Sequence, residues 1–168
     1  RKVAVEKAMS KAFDLAFSSS VGNRIQKEKL KGDGSQRQWY RLSTEQHSLI
    51  MADHGIRQAA LLSEVDSFVK IGNHLYQQGV QVPKIYFYDT FSGLVFLEDL
   101  GDISLQQVVK SAGDSETLLK LYKAVIDQLI KLSIQGADKF RPDWAYQTTD
   151  YDQKLILEKF QMLEPSFC

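Results

Sequence analysis

The residues with the most chemical promise lie in the stretch 31–42, KGDGSQRQWYRL. Gly32 and Gly34 flank Asp33, Ser35 follows, and an alternating aromatic and basic run carries Arg37 and Arg41. Glycines let a backbone come close to a ligand, and successive N–H groups in such a turn can cradle an anion. The Ser35 hydroxyl adds a donor, and Arg37, just beyond the turn, can reach a phosphate. Arg41 either faces the same cleft or is solvated. On its own the turn is equally a plain hairpin.

Other groups offer less. His47, His54 and His74 have no metal-ligand spacing and are expected to be exposed or half-buried. The single cysteine, Cys168, has no evident base partner and is not read as a nucleophile. No disulfide framework exists, which points to a reducing, cytoplasmic setting.

Lysine plus arginine and aspartate plus glutamate number 21 each, so the chain gives no basis for bulk attraction to nucleic acid or an acidic membrane. No apolar run approaches the roughly 20 residues of a membrane span. With 168 residues, 43% of them hydrophobic, there is enough chain for one globular domain or a small domain plus part of another. The start at Arg1 and the abrupt end predict an excerpt of a longer protein.

The elements that must position these residues follow from periodicity. Val5, Ala8, Met9, Ala12, Phe13 and Ala16 predict an amphipathic helix over 3–17. Strands are expected over 24–31, 38–43 and 47–53. The second alternates Trp39 and Arg41 against Tyr40 and Leu42, and the third places Leu49 and Met51 together. A helix follows, with Ser63 as N-cap and Val65, Phe68, Ile71 and Leu75 as its stripe, stopped by Gly79. Pro83 forces an extended entry into strands over 84–90 and 94–98. A polar joint at 99–102 leads to a short helix opened by a Ser104/Gln107 capping box. Helices over 115–135 and 150–163 flank a loop containing Pro142 and Trp144.

Five strands and one helix, then a joint, then helices, is the layout of a protein-kinase-like small lobe entering a helical large lobe. The ordered set GDGSQRQWYRL, HSLIMAD, YQQGVQVPKIY and LVFLEDLGD resembles the aminoglycoside phosphotransferase and choline kinase superfamily. Within it the chain is most similar to the bacterial cell-wall amino-sugar kinases acting on N-acetylmuramate and N-acetylglucosamine. That subgroup shows a D-A-S-x-R-x-Y-x-R-L stretch, an L-M-D third strand and an L-L-E-D-L-G-D joint. The resemblance runs from about Leu30 to Leu163.

It implies an α+β fold with a five-stranded antiparallel sheet. Residues 1–98 would be the nucleotide-binding lobe, 99–103 a hinge, and 104–168 the start of a helical lobe. It implies ATP and Mg²⁺ as cofactors and a small sugar-like acceptor. Gly32, Asp33, Gly34, Ser35, Arg37 and Arg41 would meet the phosphates. The backbone of Glu98 and Leu100, beside Asp99, would bond the adenine edge. Leu97 would back the pocket, Leu49 would roof the ring, and Met51 would line it. Glu98 and Asp99 are a poor acid/base pair, because neighbours on an extended chain point to opposite faces.

Two features depart from the usual kinase pattern. The third-strand lysine and its helix glutamate correspond to Met51 and Phe68, a joint replacement by two packing side chains that leaves no charge unpaired. Glu64 and Asp66 are alternative partners for some basic group. No H-x-D-x-x-x-x-N loop occurs, so the catalytic base and Mg²⁺ ligands are expected after residue 168. The alternative is a catalytically inactive kinase-like module that binds a nucleotide or a partner.

Overall fold

The structure, a computed structural model, describes residues 1–18, 25–31, 37–56 and 62–146. It is an α+β fold in the order α1 (Lys2–Phe17), β1 (Gln26–Lys29), β2 (Gln38–Ser43), β3 (Ser48–Asp53), α2 (Glu64–Gln77), β4 (Ile85–Asp89), β5 (Leu94–Glu98), α3 (Leu105–Ser111) and α4 (Ser115–Ile134). A 3₁₀ turn at Pro142–Trp144 follows. The expected helix over 150–163 lies outside the described residues.

The five strands form one antiparallel sheet in the order β1-β2-β3-β5-β4. The chain leaves the meander after β3, runs through α2, lays down β4 at the edge, and returns β5 against β3. That return puts the joint after β5 beside the middle of the sheet.

Both faces of the sheet are covered, and the strands' period of two divides their side chains cleanly. On one face α1 buries Ala8, Met9, Ala12 and Phe13 against Leu42, Leu49, Met51, Leu94 and Phe96. On the other, Val65 and Val69 of α2 pack on Ala52, Val95 and Leu97, with Trp39, Ile50, Phe68 and Ile85 around them. The hydrophobic term of this core is therefore split over two layers, and the central residues Leu49 to Ala52 of β3 and Leu94 to Leu97 of β5 are apolar on both faces. β1, by contrast, is fully exposed along its length. As an edge strand of alternating Gln, Lys, Glu and Lys it pairs on one side only, and its charges discourage pairing with another chain.

Helix starts follow the expected chemistry. Ser63 N–H donates to Asp66 Oδ2 at 2.9 Å, half of a capping box that opens α2. Ser104 Oγ accepts from Gln107 N–H at 3.2 Å, while Ser104 N–H donates to Gln107 Oε1 at 2.7 Å. Asp114 caps α4 through Thr117 N–H at 2.7 Å. α4 buries none of its residues among those described, and Leu119, Tyr122, Ile126, Leu129 and Ile130 stay exposed.

Two tight points hold the ends of the site in place. Gly93 has φ 71°, and a Cβ there would fall 1.8 Å from the Gly55 carbonyl oxygen. Only glycine lets the two turns touch, so that His54 N–H can donate to Gly93 O at 2.8 Å. His74 of α2 is buried, not exposed or half-buried as its helix position predicts. Its Nε2 lies 2.9 Å from Gly136 O, and its ring meets Phe140 and Trp144 edge-on. The residues after α4 fold back onto α2 and enclose the imidazole.

Candidate functional site

The α2 face of the sheet gathers most of the chemically interesting side chains. Across it one row runs Glu28, Arg41, Ile50, Leu97 and Ile85, each opposite the next in the strand register. Beside this row the next contains Trp39, Ala52 and Val95. An apolar cleft of about 380 Å³ opens where the face meets α2, walled by Phe68, Ile71, Leu75, Pro83 and Leu97. Glu64 is the one charged residue lining it among those described.

Arg37 stands at the start of β2. Its Nη1 lies 3.3 Å from Glu64 Oε1 at the first turn of α2. Its guanidinium carbon lies 5.5 Å from the Trp39 ring centroid and 5.7 Å from that of Phe68. The Trp39 and Phe68 rings and the Glu64 carboxylate are thus among the groups that hold the guanidinium. The other oxygen of Glu64 is 3.6 Å from His54 Nδ1. The His54 side chain is only 4% exposed, and neither ring nitrogen has a hydrogen-bond partner among the described residues. Burial pushes the imidazole pKa below its ordinary value, and the nearby Glu64 carboxylate offsets this only in part. The ring is neutral at neutral pH.

Arg41 is turned toward the joint after β5. Its Nε and Nη2 reach Asp99 at 2.8 and 3.2 Å, and its Nη1 and Nη2 reach Asp102 at 2.9 and 2.8 Å. Hydrogen bonds to Asp102 and Asp99 hold the guanidinium far above its ordinary pKa. Burial pushes the Asp99 carboxyl up, but bonds from Arg41, Gly101 N–H and Ser48 outweigh it and hold the group below the usual carboxylate range. Arg41 thus ties the second strand to both ends of the 99–102 joint.

The sequence-predicted residues divide between these places. Gly32, Asp33, Gly34 and Ser35 lie outside the described residues. Arg37, Arg41, Leu97 and Asp99 are brought to the α2 face. Leu49 and Met51 are fully buried on the α1 face and are not brought together with Leu97. Glu98 follows the alternation of β5 onto the α1 side, where its carboxylate accepts from Lys84 N–H at 3.2 Å. Leu100 is exposed. Met51 and Phe68, expected to replace an ion pair by two packing side chains, both pack in apolar cores, on opposite sides of the sheet. From β3 it is Ile50 and Ala52 that face α2.

Ile50 and Trp39 were not expected at the site, whereas Glu64, expected only as an alternative partner for some basic group, is the one that meets Arg37. For Glu64 the signal was its place at a helix start near a basic strand. For Ile50 period-two counting cannot decide, because both faces of β3 are apolar.

For a bound nucleotide the described residues offer an apolar surface beside the joint and one fixed guanidinium, which fit a ring and a phosphate. For Mg²⁺ they do not fit: no group of three or more His, Cys, Asp or Glu converges among them, and Asp99 and Asp102 are shared with Arg41. No described helix is long and apolar enough to cross a membrane.

No family model matches the chain. It is 30% identical over 145 residues to the N-acetylmuramate/N-acetylglucosamine kinase of Caulobacter vibrioides, a match covering 72% of this chain and 39% of that protein. The similarity supports a kinase-like relationship, and the fold is consistent with a kinase-like small lobe followed by helices. The chain spans well under half the length of the curated relative it matches.

Proposed function

We propose that this chain is the nucleotide-binding part of an ATP-dependent phosphotransferase that passes the γ-phosphoryl group to a hydroxyl of a small amino-sugar-like acceptor. Residues 1–98 form the nucleotide lobe, 99–103 the hinge, and 104–168 the start of a helical lobe. The similarity to an amino-sugar kinase carries this reading, and the sheet, α2 and joint supply a surface on which it is physically workable.

Adenine lies on the α2 face against Ile50 and Leu97, its edge meeting the backbone of residues 98–100. The phosphates run toward residues 32–35 and Arg37. Their charge is met by backbone N–H groups and a guanidinium, which suits a phosphate well because its fixed fork of donors can meet two of the phosphate oxygens at once. Magnesium and the catalytic base belong to chain beyond the described residues. The protein's contribution here is positioning and charge stabilisation of phosphoryl transfer.

The test is ³¹P NMR of the longest native polypeptide carrying this chain, with Mg-ATP and either N-acetylglucosamine or N-acetylmuramate. Appearance of a sugar phosphate at the expense of ATP supports the reading. Mg-ATP binding without transfer to any sugar supports an inactive nucleotide-binding module instead.

A further inference from the structure

We propose that Glu64 is the positioning residue for Arg37, and that this strand-to-helix pair does at the nucleotide phosphates what a third-strand lysine and a helix glutamate do in most kinases. The inference rests on the phosphotransferase reading above and assigns it a residue.

The third strand has no basic side chain to offer. Its α2-facing residues are Ile50 and Ala52, and Met51 is sealed beneath α1. The nearest basic group held against α2 is one strand over. Arg37 comes directly after residues 32–36 and reaches Glu64 at 3.3 Å. A contact 27 positions apart in sequence thus links the start of β2 to the first residue of α2.

Glu64 is suited to holding rather than neutralising a cation. At the first turn of α2 its negative charge is favoured by the helix dipole. Its side chain is about half exposed (49%), whereas that of Arg37 is 21% exposed. The carboxylate therefore sits in a wet position while the guanidinium is held in a drier one, with Trp39 and Phe68 on its flanks. Partial exclusion of water around the pair lowers the effective dielectric and strengthens the mutual attraction. His54, the other group beside Glu64, is enclosed and neutral, so it does not compete with Arg37 for the carboxylate at neutral pH.

Phe68 sits one helical turn after Glu64, on the same side of α2. One helix face therefore supplies both the carboxylate and an aromatic wall. Any rotation of α2 moves both and shifts the guanidinium relative to the phosphates.

The experiment uses the longest native polypeptide, with steady-state kinetics in ATP, Mg-ATP titration and thermal unfolding for wild type, Glu64→Gln, Glu64→Asp, Arg37→Ala and the Arg37→Ala/Glu64→Gln double variant. Glu64→Gln is expected to lower kcat by about 10- to 100-fold, the scale of a misplaced reacting group, while KM for ATP changes less. Glu64→Asp should recover part of the loss. The double variant should match Arg37→Ala alone, because two residues acting as one unit are not additive. Thermal midpoints should stay close to wild type, since the carboxylate is half in water. Wild-type kcat in Glu64→Gln, or losses that multiply in the double variant, overturn the inference alone. A wild-type protein that neither binds Mg-ATP nor transfers phosphate overturns the phosphotransferase reading, and this inference with it.

Discussion

Arg41 of β2 grips Asp99 of the joint with two nitrogens, Nε at 2.8 Å and Nη2 at 3.2 Å. The residues are 58 positions apart, and the fork-to-carboxylate geometry fixes orientation as well as distance. Asp99 is the enclosed partner, with 7% of its side chain exposed, and Asp102 the open one at 78%. Energetically the two bonds are therefore unequal, although their lengths are alike. Arg41→Ala leaves the Asp99 carboxylate enclosed and stripped of its cation, and should cost about 1–3 kcal/mol in urea unfolding. Arg41→Lys should recover only part, because an ammonium cannot make the fork. Asp102→Ala should fall within measurement scatter, since water and salt screen that contact.

Met51 gives a sharper test of which face of the sheet matters. Restoring the usual kinase lysine looks reasonable from the sequence, where Met51 holds that position. In the structure Met51 has no exposed surface and packs between α1 and the sheet with Leu42, Leu49 and Phe96. Met51→Lys would drive an ammonium into the buried apolar cluster of Leu42, Leu49 and Phe96, which contains no carboxylate among the described residues. It should destabilise the fold by several kcal/mol, or fail to fold, without improving nucleotide binding. Met51→Leu, which nearly conserves volume, should cost less than about 1.5 kcal/mol. Thermal unfolding of the two variants side by side separates these outcomes.

These cases show what was legible in the chain and what was not. α1, β2, β3, α2, β5 and α4 are readable because each has a strong period or a clear cap, such as Ser63 before Glu64 or Ser104 with Gln107. The strand order with α2 between β3 and β4 follows from the same signals. β1 is shorter than expected because a strand of Gln, Lys, Glu and Lys gains nothing from burial and ends where pairing with β2 ends. The site was harder. Leu49 and Ile50 are both apolar, and nothing local tells which faces α1 and which α2. Long-range packing makes that choice, through Ala12 and Phe13 on one side and Val65 and Val69 on the other. The bonds of Arg41 to Asp99 and of Arg37 to Glu64 are likewise products of topology, since β5 must return beside β3 before the joint can meet β2.

His54 predicts a pH dependence of stability. Burial lowers its pKa in the folded protein, so the unfolded chain takes up the proton first as pH falls. The stabilisation is complete above the unfolded value of about 6.5 and is lost progressively below it, until the folded imidazole also titrates. Each unit of separation between the two values corresponds to about 1.4 kcal/mol. Glu64 pulls the folded value up, Arg37 pushes it down and Asp53 pulls it up. Thermal midpoints between pH 7.5 and 5.5 should therefore fall for wild type, fall more steeply for Glu64→Gln, and flatten for His54→Gln. The bonded carboxylates Asp99 and Asp89 have lowered pKa values and lose their contribution only at more acid pH. A wild-type midpoint that is level across this range would show that the imidazole is not enclosed in solution.

The most direct test of the central claim is calorimetric titration of Mg-ATP into the longest native polypeptide and into its Arg37→Ala, Arg41→Ala and Lys31→Ala variants. Saturable binding to wild type is predicted, with Arg37→Ala weakening it most. Arg41→Ala should act chiefly through lost stability, and Lys31→Ala, an exposed residue, should have little effect. Absence of binding to a folded wild-type protein, or equal and negligible effects of all three substitutions, would contradict a nucleotide site organised around Arg37.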